Sequence, residues 1–363
     1  MITWLVFLFL ACNIAVVAGT ACWILFNPPK KFDITQTLPK ISILVAARNE
    51  ENNILRCMQA LSLLDYPKNL LEIWIGNDDS TDRTAQIIRD FCRDNPEINF
   101  VDIKENIGLA RGKANVLAHL ANKATGGYFF ITDADIAVNS QWITALLPAL
   151  MNGYAMASGT TIVKGKSFLN QMECMDWMQL MAYYHLFDRF LGITCNGNNM
   201  AISAAAYRAT GGYEKIPFSV TEDYSLYLIL SKKGEKHIQM MNKDVLGESM
   251  PTESFASFLD QRRRWLVGAK NQPWHRWITF PVYSLFLPVL IWLFILNWQL
   301  GSLVFCIKLL TQTFLLGATA RRVGTSIDLW KILPFELFLY TTNLLVFVNF
   351  FLPGPVRWKD RKF

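Results

Sequence analysis

Apolar and polar positions divide the chain into three zones. The first, Ile2–Phe26, contains no charged side chain and is longer than the ~20 residues that cross a bilayer core, so it predicts a membrane-spanning helix. A cleavable signal peptide is the alternative, but no basic region precedes the apolar run. Residues 277–307 and 337–352 are also free of charge, which predicts two or three further spans.

Between these apolar zones, residues 30–276 carry most of the charge and predict a water-facing domain. Short apolar runs alternate there with segments of helical spacing. The predicted strands are Ile41–Ala46, Leu71–Gly76, Phe100–Ile103 and Tyr128–Thr132, and the predicted helices are Leu55–Leu64, Thr81–Cys92 and Gly112–Ala121. This alternation indicates βαβ units and an α/β fold with a parallel sheet covered on both faces.

Polar and acidic residues follow three of the predicted strands. They are residues 47–51 (Ala-Arg-Asn-Glu-Glu), residues 77–82 (Asn-Asp-Asp-Ser-Thr-Asp) and residues 133–135 (Asp-Ala-Asp). Because ligands of such sheets bind beyond the carboxyl ends of the strands, we expect these groups to meet at one site.

Composition and charge agree with a membrane protein. Hydrophobic residues make up 52% of the 363 residues, and the net charge of +6 comes mainly from clusters near the predicted membrane edges. This distribution favours anchoring at membrane lipids over nucleic-acid binding. The seven cysteines fall singly, which is typical of reduced packing residues, and the four histidines show no ligand spacing.

Asp133 and Asp135 lie two residues apart at a strand end, so in extended backbone both point to the same face. Hard carboxylate oxygens select Mg²⁺ or Mn²⁺, which complete their shells with water and substrate phosphates. The alternative is a pair of solvated turn aspartates or a helix cap before Trp142. Asp78 and Asp79 end a neighbouring strand, and we assign Asp79 to a nucleoside and Asp78 to a structural role.

The spaced motifs resemble those of inverting family 2 glycosyltransferases with a GT-A fold, a Rossmann-like nucleotide-sugar-binding domain. The resemblance covers about residues 41–265 and is strongest to the membrane-bound branch that includes polysaccharide synthases and ceramide glucosyltransferase-like enzymes. Its motifs are residues 47–51, 78–82, 112–113 (Gly-Lys), 133–135, 221–223 (Thr-Glu-Asp) and 261–265 (Gln-Arg-Arg-Arg-Trp).

The resemblance implies roles for residues of the donor site. Ala47, Glu50 and Asp79 are expected to frame the base and ribose, and Lys113 to reach the donor phosphate or sugar, with a solvated helix lysine as the alternative. Asp135 is expected to bind Mg²⁺ or Mn²⁺, and Asp133 to contact the donor sugar or the metal.

Two further motifs carry the implied catalysis. Asp223 is the expected general base, although it also suits the start of a helix at Tyr224–Lys232. Arg264 is expected to stabilise the leaving diphosphate, with Gln261 and Trp265 contacting the donor. The alternative for this motif is an interfacial helix whose arginines, Arg262 and Arg263 above all, meet lipid headgroups. The loop 195–199 is expected to bind sugar hydroxyls or to be an ordinary turn.

The predicted layout has five parts: an N-terminal transmembrane helix (1–29), a cytosolic GT-A domain (30–252), an interfacial amphipathic helix (253–276), a C-terminal transmembrane region (277–356) and a basic tail (357–363). The basic tail and the cytosolic domain together require one C-terminal segment to be re-entrant or interfacial.

The predicted function is sugar transfer from a nucleotide diphosphate donor, a UDP-sugar, to a hydroxyl of a lipid-linked or glycan acceptor. The predicted location is the plasma (inner) membrane, with the catalytic domain facing the cytoplasm. The alternatives are a processive polysaccharide synthase, a nucleotidyltransferase and a non-catalytic, sugar-binding membrane scaffold.

Overall fold

The computed structural model describes residues 2–33, 37–191, 195–268, 283–352, 357–358 and 361–362. The chain groups into two compact units. A sheet unit comprises residues 29–164 and 187–250, and a helical unit comprises residues 1–28, 165–186 and 251–363. Residues 165–186, which lie inside the predicted 30–252 domain, thus group with the apolar ends of the chain.

Strands and helices alternate through the middle of the chain. The strands are β1 Ile41–Ala47, β2 Leu71–Asn77, β3 Ile98–Asp102, β4 Tyr128–Asp133, β5 Ile136–Val138, β6 Met156–Ser158, β7 Thr160–Val163, β8 Asn199–Ser203, β9 His237–Gln239, β10 Leu246–Ser249, β11 Arg357–Trp358 and β12 Arg361–Lys362. The helices are α1 Ile2–Phe26, α2 Ile54–Ser62, α3 Thr84–Asp94, α4 Lys113–Lys123, α5 Trp142–Met151, α6 Phe168–Leu191, α7 Ala204–Ala209, α8 Glu222–Lys232, α9 Phe255–Gly268, α10 Phe286–Leu296, α11 Trp298–Val323 and α12 Ile332–Phe351. The strands and helices predicted between residues 41 and 132 are confirmed, with ends shifted by a few residues.

The main sheet of the sheet unit has the strand order β3-β2-β1-β4-β8-β6-β9. Strands β3, β2, β1 and β4 are parallel, as predicted, and β8 runs antiparallel to β4. A second sheet has the order β5-β10-β7. The carboxyl ends of the four parallel strands lie at one edge, which brings the polar strand ends together.

The continuous apolar run of β1 reflects burial on both faces of the sheet. Ile43 and Val45 belong to one hydrophobic cluster, together with Met58 of α2, whereas Leu44 belongs to a second cluster with Val116 of α4. Because adjacent strand residues point to opposite faces, an alternating pattern would leave one face without an apolar partner. The sheet is thereby fixed between two layers of helices.

Among the residues that the structure describes, three segments of the helical unit are long and apolar enough to cross a membrane, namely α1, α11 and residues Leu329–Phe351. The chain is therefore a membrane protein. The uncharged run of residues 277–307 is interrupted at Asn297, whose side chain accepts a hydrogen bond from the amide of Leu300 at 2.9 Å and starts α11. Residues 269–282, which include the rest of the predicted interfacial segment, lie outside the described residues.

A buried ion pair joins α11 to α12. Lys308 Nζ lies 2.9 Å from Glu336 Oε1 and 2.7 Å from Gln312 Oε1, and the side chains of Lys308 and Glu336 are each 1% exposed. Gln312 in turn donates to Gln179 of α6 at 2.5 Å. Because an unpaired charge in an apolar interior is very costly, loss of either partner is expected to destabilise the packing of these helices.

Candidate active site

The loops that follow β1 and β2 form one hydrogen-bonded layer. Arg48 donates to the carbonyl oxygens of Asp78 and Asp79, the latter at 3.1 Å. The amide of Asn49 donates to Ser80 Oγ at 3.1 Å, and the amide of Thr81 donates to Asn49 Oδ1 at 2.9 Å. The two motifs that the sequence places at neighbouring strand ends are therefore held to each other directly.

The backbone of this layer is unusual. Asn49 and Asp79 have φ angles of 49° and 52°, in the left-handed region that non-glycine residues rarely adopt. Asp79 is exposed, whereas Ala47 is 1% exposed and accepts from the amide of Asp78 at 2.8 Å. Glu50 accepts a side-chain hydrogen bond from Asn53 at 2.8 Å. Ala47, Glu50 and Asp79 thus lie in one layer, and their contact with a nucleoside stays a prediction.

Asp133 ends β4, and Asp135 precedes β5. Asp133 Oδ1 lies 2.6 Å from Lys113 Nζ, and Asp135 Oδ2 accepts from the hydroxyl of Ser249 at 3.0 Å. Arg56 also donates to the backbone carbonyl of Asp135. Arg56 of α2 and Ser249 of β10 hold Asp135 in place, although no motif identifies either of them in the sequence.

The carboxylates at this strand end suit a metal ion that binds together with the phosphates of a nucleotide. Among the residues that the structure describes, no group of three or more His, Cys, Asp or Glu side chains is arranged to hold a metal. Mg²⁺ and Mn²⁺ sites of enzymes that use nucleotides are often built from one or two carboxylates, with water and phosphate oxygens as the other ligands. Asp135 and Asp133 can supply such carboxylates. The described residues do not form a closed metal site with all of its ligands from the protein.

Lys113 begins α4 and bridges two carboxylates. Its Nζ lies 2.6 Å from Asp133 and 2.8 Å from Glu222, and its side chain is 16% exposed. Burial disfavours the ammonium, but the charges of Asp133 and Glu222 outweigh it and raise the pKa of Lys113. The alternative of a solvated helix lysine is therefore wrong, and Lys113 joins the strand end of β4 to the start of α8.

Asp223 lies in the first turn of α8 and accepts two backbone hydrogen bonds. Its Oδ2 accepts from the amide of Gly197 and its Oδ1 from the amide of Tyr224, both at 2.8 Å. A Cβ atom at Gly197 would lie 2.3 Å from Asp223 Oδ2, so only glycine fits this close approach. The loop 195–199, expected to bind sugar hydroxyls or to be an ordinary turn, thus contributes an amide to the carboxylate of the expected base.

The environment of Asp223 favours a carboxylate that titrates near neutral pH. Burial and then the charge of Glu222 raise the pKa of Asp223 to about 6, against the opposing effects of Lys113 and of the amides of Tyr224 and Gly197. A group with a pKa near the working pH is effective as a general base. Asp223 is thus suited to accept a proton from an acceptor hydroxyl.

The motif 261–265 lies on α9, in the helical unit. Gln261 Oε1 accepts from Arg262 at 3.0 Å, and the Arg262 guanidinium lies 4.2 Å from the ring centroid of Trp265. The ring of Trp177 meets that of Trp265 edge-on, with 5.2 Å between centroids. The expected roles of Gln261, Arg264 and Trp265 toward the donor stay predictions.

The two arginines assigned to lipid headgroups both make contacts with the protein. Arg262 forms an ion pair with Asp176 of α6, and its side chain is 12% exposed. Arg263 donates to the carbonyl oxygen of Leu352, at the end of α12, at 2.8 Å. The headgroup interpretation of Arg262 is therefore wrong, because its guanidinium is already held by a carboxylate and aromatic rings.

Comparison with known proteins gives similarity along nearly the whole chain. The family model described as glycosyl transferase family 21 matches residues 3–363. The probable glycosyltransferase YdaM of Bacillus subtilis is 29% identical over 251 residues, which cover 67% of this chain and 58% of that protein. The beta-monoglucosyldiacylglycerol synthase of Synechocystis is 27% identical over 252 residues, covering 67% of this chain and 51% of that protein. The chain thus spans between half and three fifths of the length of these relatives.

Among solved structures, the mannosyltransferase PcManGT of Pyrobaculum calidifontis, in complex with GDP-Man and Mn²⁺, matches with a TM-score of 0.55 at 17% identity. The match covers 95% of this chain and 98% of that chain. The predicted GT-A fold is confirmed, as is the resemblance to membrane-bound glycosyltransferases that the motifs indicated. The chain belongs to glycosyl transferase family 21.

Proposed function

We propose that the protein is a membrane-bound glycosyltransferase that transfers a sugar from a nucleotide diphosphate donor to a hydroxyl of a lipid acceptor, with inversion at the anomeric carbon. The observation that carries this proposal is the site of Asp223. Two amides orient its carboxylate, and its pKa of about 6 leaves it ionised at neutral pH. In the proposed reaction Asp223 accepts the hydroxyl proton as that oxygen attacks the sugar.

On the donor side, the polar strand ends bind a nucleotide diphosphate sugar, for which we propose UDP. Asp79 and Glu50 contact the nucleoside, while Lys113 fixes Asp133 toward the donor sugar. Asp135 would hold a Mg²⁺ or Mn²⁺ ion, which when bound offsets the negative charge of the diphosphate. The match to a structure that contains GDP-Man and Mn²⁺ supports a nucleotide-sugar site with a divalent cation.

The motif on α9 completes the donor chemistry in this proposal. The planar guanidinium of Arg264 suits two diphosphate oxygens at once and would stabilise the charge that builds up on the leaving group. Gln261 and Trp265 contact the donor from the same helix. The ring of Trp265 is also contacted by Trp177 and Arg262.

A lipid acceptor agrees with the membrane-spanning helices and with the name of the Synechocystis relative, a beta-monoglucosyldiacylglycerol synthase. We place the sheet unit at the cytoplasmic face of the plasma (inner) membrane, because basic clusters flank the apolar segments along the chain. A processive polysaccharide synthase with a glycan acceptor would make a polymer instead, so product length separates the two functions.

The test uses the purified full-length protein in liposomes with Mn²⁺, diacylglycerol and a panel of UDP- and GDP-sugars. We expect nucleotide release that depends on diacylglycerol with at least one donor, and a glycolipid with one added sugar of inverted anomeric configuration by mass spectrometry and NMR. Polymer formation would replace the lipid-acceptor proposal by the synthase. Absence of nucleotide release with every donor and acceptor would reject the transferase proposal.

A further inference from the structure

A carboxylate, an imidazole and a hydroxyl form a row of hydrogen bonds that leads to the loop 195–199. Asp188 Oδ1 is 2.7 Å from His237 Nδ1, and His237 Nε2 is 3.1 Å from Ser158 Oγ. The side chains of Asp188 and His237 are 9% and 7% exposed, and Ser158 is fully buried. These residues come from the end of α6, from β9 and from β6, and none belongs to a motif of the sequence.

The hydrogen bonds of this row start at a fixed acceptor. The carboxylate of Asp188 only accepts, so Nδ1 of His237 donates to it. In the neutral tautomer that carries its proton on Nδ1, Nε2 accepts the proton of the Ser158 hydroxyl. The oxygen of Ser158 then accepts from the amide of Asn196 at 3.3 Å. The next amide along the chain, that of Gly197, donates to Asp223 Oδ2 at 2.8 Å.

Both ends of this row are fixed by further contacts. Asp188 Oδ2 accepts from the amide of Gln239 at 2.8 Å, which anchors the carboxylate to β9. The side chain of Asn196 donates to Thr161 Oγ1 at 3.1 Å and to the carbonyl oxygen of Gly159 at 3.4 Å. Asn196, the residue before the Gly197 amide, is thus held through both its backbone amide and its side chain.

The order of groups is that of a Ser-His-Asp nucleophile, but the burial of Ser158 excludes that role. Its hydroxyl has no exposed surface for a substrate, and both of its hydrogen bonds go to the protein interior. What this row reaches is the amide of Asn196, which along the chain directly precedes the Gly197 amide that holds Asp223. Its role therefore concerns the geometry of that amide.

We propose that Asp188, His237 and Ser158 are positioning residues that hold the Gly197 amide against Asp223. This inference rests on the proposed function, in which Asp223 is the general base. His237, one of the four histidines that show no ligand spacing in the sequence, is the central member of the row. The row holds the backbone at Asn196, so loss of any member is expected to let the adjoining Gly197 amide move relative to Asp223.

Removal of the Ser158 hydroxyl tests the proposal. The Gly197 amide lowers the pKa of Asp223, so Ser158→Ala is expected to move the acid limb of the kcat/KM profile to higher pH by a few tenths of a unit or more. We also expect kcat to fall by ~10-fold while the donor KM stays constant, because only the base is displaced. The charged and titratable groups that face Asp223, namely Glu222, Lys113, Cys195 and Tyr213, are unchanged in this variant.

The matched control is Ser42→Ala. Like Ser158, Ser42 is a fully buried strand serine whose hydroxyl accepts from a backbone amide, here that of Gly126 at 2.9 Å. Its hydroxyl contacts Glu72 and not the loop 195–199. We expect a similar loss of stability with no shift of the acid limb. Hydrogen exchange of residues 195–199 should rise in Ser158→Ala and stay as in wild type in Ser42→Ala.

Two different failures are distinguishable. If the wild-type profile depends on Asp223 but Ser158→Ala matches Ser42→Ala in acid limb, kcat and loop exchange, the positioning proposal is refuted and the proposed function stands. If Asp223→Asn transfers sugar at the wild-type rate, the proposed function itself is refuted. Should Ser158→Ala not fold, His237→Gln interrupts the row one step earlier and is expected to shift the limb in the same direction.

Discussion

The contact between Lys113 and Glu222 leads to a prediction about the pH dependence of transfer. Glu222 lies next to Asp223 at the start of α8, and its charge is the second cause, after burial, that raises the pKa of Asp223. Glu222→Gln removes that charge with little change in shape. The Asp133 contact of Lys113 remains, so the ammonium stays near the site.

The size of the effect follows from the pKa values. Asp223 is displaced from 3.8 to about 6, and removal of the neighbouring like charge is expected to return ~1 unit of that displacement. Transfer requires ionised Asp223, so rate falls as pH falls through its pKa. A shift of the pKa from about 6 to about 5 raises the ionised fraction at pH 5 from about one tenth to about one half. Relative to its own plateau, the variant is therefore expected to be about five-fold more active at pH 5.

The assay is kcat/KM from nucleotide release between pH 4.5 and 8 at constant ionic strength, since this parameter reports groups of the free enzyme. Glu235→Gln is the control, because Glu235 is an exposed carboxylate after α8 and its loss changes the net charge equally. An acid limb that stays in place or moves to higher pH in Glu222→Gln, relative to Glu235→Gln, would refute the assignment of the limb to Asp223.

Three further predictions concern other parts of the chain. Asp135→Ala is expected to abolish turnover and to remove the Mn²⁺ dependence of UDP binding, and an unchanged metal dependence in a calorimetric titration would reject the metal assignment. Arg264→Lys keeps the charge but loses the planar fork, so we expect a large rate loss in detergent and bilayer alike; full recovery with anionic lipid would instead support an interfacial role. Lys308→Met is expected to destabilise the helical unit by ~3–5 kcal/mol, since it leaves Glu336 unpaired, and the double change with Glu336→Leu should recover most of that loss in thermal unfolding. A single variant as stable as wild type would contradict this view of the ion pair.

Much of the sheet unit was predictable because its signals are local. Each parallel strand is a short apolar run, and parallel order alone brings the ends of β1, β2 and β4 to one edge. The residues that complete the site come from distant parts of the chain. Glu222, Ser249 and Arg56 reach Lys113 and Asp135 only through tertiary packing, and no spacing in the sequence indicates those contacts.

The path of α6 shows a second limit of local patterns. Residues 165–186 contain several polar and charged side chains, which is typical of a water-facing helix, yet they group with the helical unit. Some of their polar groups are paired there, as in Gln179 with Gln312 and Asp176 with Arg262. Periodicity reports how apolar a face is, and it does not report which polar groups find partners inside the protein.

Substitution of Asp223 tests the central claim most directly. Asp223→Asn keeps the size of the side chain and removes the proton acceptor, so the rate of transfer is measured beside donor binding and melting temperature on one preparation. We predict a ~10²–10⁴-fold lower rate with donor and metal binding nearly intact. A folded, donor-binding Asp223→Asn protein that keeps a tenth or more of the wild-type rate would contradict the account.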